Sequence, residues 1–202
     1  MTLSFEHKLQ NYADLSVRVG VGLQAGQTLL IRAPLESVVL VQKIVESAYQ
    51  AGAALVDVLW TDDALTLARY QYAPRDSFEM YPNWNTDALN QVAEQGGALL
   101  SIYAADPDLL KDQDPELIAT AQRVQNEHMA PFRRMAMTNM VNWSIVSYPI
   151  PAWAAKIFPD VSADEQIAQL WDVIFNVCRV DQTDPIMVWH QHNQLLKELG
   201  IS

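Results

Sequence analysis

TLLIRAPLESVVLVQKIVESAYQAGAALVDVLW, residues 28–60, decides the fold. Residues 28–33 (TLLIRA) and 54–60 (ALVDVLW) are short runs dense in aliphatic side chains, each bounded by Gly or Pro, and both read as buried strands. Between them Val38, Val41, Val45 and Ala48 mark one face of a helix. It ends near Gly52, which can take the left-handed conformation that terminates helices. Strand, helix and strand in this order make a βαβ unit, whose crossover places the two strands parallel.

The same alternation extends in both directions. Upstream, Leu9, Tyr12, Ser16 and Val19 recur at helical spacing from Phe5, and the pattern stops at Gly20 and Gly22. Downstream, helices are expected over 64–72, 87–94 and 115–128, and strands over 98–103 and 143–148. Ser162 and Glu165 then have capping-box spacing ahead of Ile167, Leu170, Trp171, Ile174 and Cys178 on one helical face. A last helix starts with Asp184 as cap and Pro185 at its first position, and Gly200 sits where it would end. The expected fold is one α/β domain over residues 1–202. It has a mostly parallel sheet of four or more strands, helices on both faces, and two C-terminal helices.

Composition limits the function. The 202 residues carry 24 acids against 13 Lys plus Arg, a net charge of −11. The largest basic cluster is Arg133 with Arg134, so the main driving term for nucleic-acid binding is missing. One cysteine excludes an internal disulfide and a multi-thiolate metal centre. Cys178, among Ile174, Phe175 and Val177, suits a small buried hydrophobe, and a reducing cytoplasm fits. The start carries Glu6 and Asp14 where a secretory signal would be basic and then apolar. The most apolar long window, 140–158, is broken by Asn142, Ser144, Ser147, Lys156 and two prolines, so no membrane span is expected.

Candidate chemistry is sparse. His190 and His192 are two apart; on a strand they would share a face, but on the expected helix they point about 160° apart, which argues against a metal site. His7 and His128 have no acidic or thiol partner at ligand spacing. Gly20, Gly22 and Gly26 follow a helix and precede a strand, the reverse of a dinucleotide fingerprint, and read as a turn. Asp106, Asp108, Asp112, Asp114 and Glu116 lack the calcium-loop pattern, and Asp114 before Pro115 reads as a helix start. Asp62 and Asp63 follow the second strand directly. They could bind metal or shuttle protons there, yet capping the next helix is the favoured reading. Neither a GxSxG elbow nor a Walker-type phosphate loop occurs.

Four blocks in order carry a resemblance: NYADLSVRVGVGLQAGQTLLIRAP at 11–34, AYQAGAALVDVLW at 48–60, YPIPAWAAKIFP at 148–159 and WHQHNQLLKELG at 189–200. In order and spacing the chain resembles the N-terminal half of the thermophilic metalloaminopeptidases of the aminopeptidase T and aminopeptidase S type. The resemblance implies a two-domain enzyme about twice this length, which removes N-terminal amino acids from peptides with two divalent metal ions of the zinc or cobalt class. The ligands and catalytic residues belong to its C-terminal half, which would follow Ser202. No catalytic, cofactor or metal residue is transferred to this chain, which is expected to be inactive alone and to bind no metal.

Peptide substrate, the missing catalytic domain and a second copy in a homodimer are the implied partners. The domain's expected role is to shape substrate access. Arg32, Trp60, Asp62, Asp63, Tyr103 and Trp153 are candidates for the chamber rim, because loops leaving the carboxyl ends of parallel strands converge there. Trp153 has a second reading, as packing for a short helix. A naturally shortened relative with another role, a small-ligand module at the same strand ends, and an interaction domain presenting Trp171 and Trp189 are the competing readings.

Overall fold

The structure, a computed structural model, describes residues 3–138 and 140–200. α1 (Phe5–Leu15) is capped by Ser4, whose Oγ accepts the His7 N–H. It runs into a wider π-helical turn at Ser16–Gly20, closed by the Val21 N–H on the Ser16 carbonyl. Then follow β1 (Thr28–Pro34), α2 (Val38–Gln50), β2 (Leu55–Thr61), α3 (Asp63–Tyr72) and α4 (Asn83–Glu94). β3 (Ala98–Tyr103), α5 (Pro115–His128), α6 (Ala130–Met137) and β4 (Asn142–Ser147) continue the alternation. α7 (Pro151–Ile157), α8 (Ala163–Val177) and α9 (Pro185–Glu198) complete it.

The four strands form one parallel sheet in the order β2-β1-β3-β4. The interior strands β1 and β3 are covered on both faces, whereas β2, expected as a buried strand, lies at the sheet edge and leaves Leu55 and Trp60 exposed. Leu29, Ile31, Ala33, Leu100 and Ile102 point into the main core with α1, α2 and α8. Leu30 and Leu99 point the other way, into a smaller core with Leu89 and Ala93 of α4 and Phe132 of α6. Helices therefore cover both faces, as expected, but unequally. Trp143 and Ile145, whose partners Leu99 and Ser101 face the smaller core's side, are exposed on the edge strand β4.

The caps are those read from the sequence. The Asp62 carboxylate accepts the Ala64 and Leu65 N–H groups at 2.6 and 3.2 Å, and Asp114 accepts that of Glu116 at 2.8 Å. Ser162 and Glu165 close a capping box, and Asp184 accepts the Met187 N–H. Two helices extend the expected pattern. α6 restarts after Met129 because Pro131, lacking an N–H, cannot continue α5, and α7 begins with Pro151. α9 leaves Leu195 and Leu199 exposed. Among the described residues no helix is long and apolar enough to cross a membrane.

Tyr12 ties α1 to the end of β4. Its hydroxyl donates to the Ser147 carbonyl and accepts the Ser147 N–H, each at 2.9 Å. Burial foremost, then the neighbouring Cys178, pushes this phenol well above the ordinary tyrosine value, against the opposing effect of the Ser147 hydrogen bond. A raised value means that the unfolded chain releases this proton first, so the contribution to stability is complete below pH of about 10 and declines above it. Urea unfolding between pH 8 and 11 should show the parent losing stability more steeply than Tyr12→Phe, which cannot ionise there. Parallel curves would contradict the assignment.

Candidate functional site

The parallel strands bring their carboxyl ends to one edge of the sheet, where binding groups of open α/β sheets collect. Arg32 stands near the end of β1, in register with Leu59 of β2 and Ser101 of β3, and two residues after the buried Leu30. Its side chain therefore leaves on the side of the smaller core. There, with Trp60 and Asp62, it lines a half-open cavity of about 460 Å³. Phe78, Tyr81 and Trp84 form much of the remaining wall.

Asp63, the next residue, is partly buried and lies near Asp106, Glu36 and Asp62. Burial foremost raises its carboxyl above the usual range; the Asp106 N–H works in the opposite direction across a long 3.5 Å contact, and the neighbouring acids add to the rise. Tyr103 ends β3 with half of its surface in water, and its ring meets Trp153 edge-on with centroids 6.0 Å apart. Trp153 is partly buried and packs against the main core. The six rim candidates thus fall into three groups: Arg32, Trp60 and Asp62 share the cavity, Asp63 belongs with the acids, and Tyr103 pairs with Trp153.

The other candidates have structural partners. His190 and His192 lie on α9, where residues two apart point away from each other, and His192 meets Trp189 edge-on. His128 stacks on Tyr81 at 4.5 Å, with Nδ1 on the Val124 carbonyl, and His7 is exposed. Lys156 beside Asp108, and Arg75 beside Asp114, hold those carboxyls below the usual range. Burial pushes the Cys178 thiol up, away from the reactive thiolate. The 78–84 stretch, FEMYPNW, supplies three of the cavity's aromatic rings. Its density of aromatics in a segment without periodicity was the available signal, and sequence reasoning missed it.

The family described as thermophilic metalloprotease (M29) matches residues 5–200, and the chain belongs to it. Among its relatives, aminopeptidase 2 of Geobacillus stearothermophilus is 46% identical over 96% of this chain and 47% of its own length. Aminopeptidase T of Thermus thermophilus is 33% identical over 96% of this chain and 48% of its own length. The solved structure of wild-type AmpT from Thermus thermophilus superposes with a TM-score of 0.87 at 31% identity, covering 95% of this chain and 47% of that one. The chain spans about half the length of each relative it matches.

The family name implies a metal. Among the described residues no group of three or more His, Cys, Asp or Glu side chains is placed to hold one. Asp62 caps α3, Asp108 pairs with Lys156 and Asp114 pairs with Arg75, while Asp63, beside Glu36 and Asp106, is raised above the usual carboxylate range chiefly by burial. These residues do not fit a metal ion.

Proposed function

We propose that this chain forms the N-terminal half of a metal-dependent aminopeptidase working on peptides in the cytoplasm, and that its own part is to shape access to the catalytic half. The match over 96% of this chain but only 47% of an aminopeptidase carries the reading. In it, a second half supplies the pair of divalent ions of the zinc or cobalt class. This half contributes a chamber rim made of Arg32, Trp60, Asp62, Asp63, Tyr103 and Trp153, and contacts within a homodimer. A fixed wall of this kind discriminates peptides by length and orientation without touching the reacting atoms.

The test is aminoacyl-anilide hydrolysis with added zinc, cobalt or manganese. The chain alone should show no turnover, and the chain joined to the second half of aminopeptidase 2 should hydrolyse the substrate. Turnover by the chain alone that disappears in His190→Ala would overturn the reading.

Within the joined enzyme, Tyr103 is the informative rim residue because it is 52% exposed and can be truncated with little loss of packing. Tyr103→Ala should cost at most about 1 kcal/mol of stability. It should change kcat/KM by different factors for dipeptides and longer peptides. An equal change for all lengths would remove Tyr103 from the rim.

A further inference from the structure

We propose that the cavity at the end of β1 binds a carboxylate carried on an apolar or aromatic residue, with the Arg32 guanidinium as its counter-ion. The source is the C-terminus of a short peptide or a free amino acid. The peptide source rests on the aminopeptidase reading; carboxylate binding by this chain does not.

Arg75 pairs with Asp114 and Glu116, and Arg123 with Glu79 and Glu127. Arg69 donates to the Ser77 and Met80 carbonyls, Arg133 to Asn126, and Arg179 lies over the Trp189 ring. Arg18 and Arg134 are exposed to water. Arg32 differs from all of them: it is partly buried on an interior strand, and among the described residues no hydrogen bond or ion pair engages its guanidinium. A half-buried guanidinium fork without a partner favours an anion. The one carboxylate in the cavity lining, Asp62, already accepts two N–H groups at the start of α3.

Phosphate is favoured by free helix N-termini or clusters of cations. Here the α3 N-terminus is filled by Asp62, the second guanidinium in the lining, Arg69, is held by the Ser77 and Met80 carbonyls, Asp63 and Asp106 lie close by, and the chain carries a net charge of −11. A multiply charged ligand is opposed by that field, whereas one carboxylate matches the guanidinium fork in charge and geometry. The walls add the rest of the ligand. Trp60 and Trp84 expose 41% and 64% of their surface around a cavity of about 460 Å³, and Phe78 and Tyr81 stand beside them. That volume and those rings suit the side chain of a single apolar or aromatic residue.

Two tryptophans in the wall make their own fluorescence a reporter. The chain would be titrated at pH 7 with the tripeptide Leu-Leu-Phe, its C-terminal amide, free phenylalanine and inorganic phosphate. Leu-Leu-Phe should quench saturably, and the amide should bind at least about tenfold more weakly, as should the acid with Arg32→Gln. Trp84→Ala, at an exposed position, should weaken the acid form without changing the melting temperature. Phenylalanine binding as tightly as the tripeptide assigns the site to a free amino acid, and tighter tripeptide binding assigns it to a peptide end. Equal affinities for acid and amide would overturn the proposal, as would an unaffected and folded Arg32→Gln, or no saturation by any probe up to about 10 mM. Binding with a hydrolytically silent joined enzyme would reject the peptidase reading alone. Hydrolysis without binding would reject this site alone.

Discussion

Trp171→Ala should cost about 3 to 5 kcal/mol, a large share of the roughly 5 to 15 kcal/mol that holds a domain of this size together. Trp171 is 6% exposed on α8 and sits among four other rings. Phe5 and Tyr12 of α1 meet it edge-on at 5.5 and 6.4 Å, Tyr148 after β4 does so at 5.1 Å, and Phe175 stacks on it at 4.9 Å. Removing the indole therefore empties the junction of α1, α8 and the end of β4, and these rings cannot close over the gap together. Thermal unfolding followed by circular dichroism should fall by about 10 °C, and Trp171→Phe should recover much of the loss. A fall of less than about 3 °C would mean that the cluster relaxes around the gap and does not hold α8 in place.

The same cluster shows why some of the architecture was legible in sequence. Ile167, Leu170, Trp171 and Ile174 share a helical face wherever α8 docks, so their periodicity marks it without knowledge of the partner. β3 and α5 match their expected limits because Gly96, Gly97, Asp114 and Pro115 act through local backbone chemistry. What was not legible depends on partners distant in sequence. The helical spacing through Val19 hides the π-helical turn at Ser16–Gly20, and α6 carries two arginines among its few core-facing residues. That Arg32 and Trp60 stand at the strand ends, where both line the cavity, was legible because strand ends in a parallel sheet are predictable places. The wall opposite them comes from α4 and the loop before it, and no spacing rule connects 28–34 with 78–84. Trp153, expected at the rim or in packing, lies against the main core with its ring on that of Tyr103.

Gly97→Ala, just before β3, should be a more damaging substitution than Gly96→Ala, although Gly96 has the left-handed backbone. Gly96 has φ of 69°, yet nothing lies within 4 Å of where its Cβ would be, so Gly96→Ala should cost only the backbone strain of about 1 kcal/mol. A Cβ on Gly97 would stand 2.7 Å from Val92 Cγ1, 2.9 Å from the Thr28 carbonyl oxygen and 3.0 Å from that of Val92. A side chain can turn away, but two of these three atoms are backbone. Neither carbonyl is free to move: Val92 accepts the Gly97 N–H at 2.8 Å, and Thr28 opens β1 beside the Leu29–Ala98 pairing. The Gln27 side chain also holds the Gly96 carbonyl at 2.8 Å. Relief must therefore separate β3 from β1 or from the end of α4, which disturbs the central strand pair. The loss should lie at the upper end of about 1 to 3 kcal/mol and exceed that of Gly96→Ala. Urea midpoints of the two variants decide the order, and a larger loss for Gly96→Ala would show that the β1–β3 contact yields more easily than a left-handed residue.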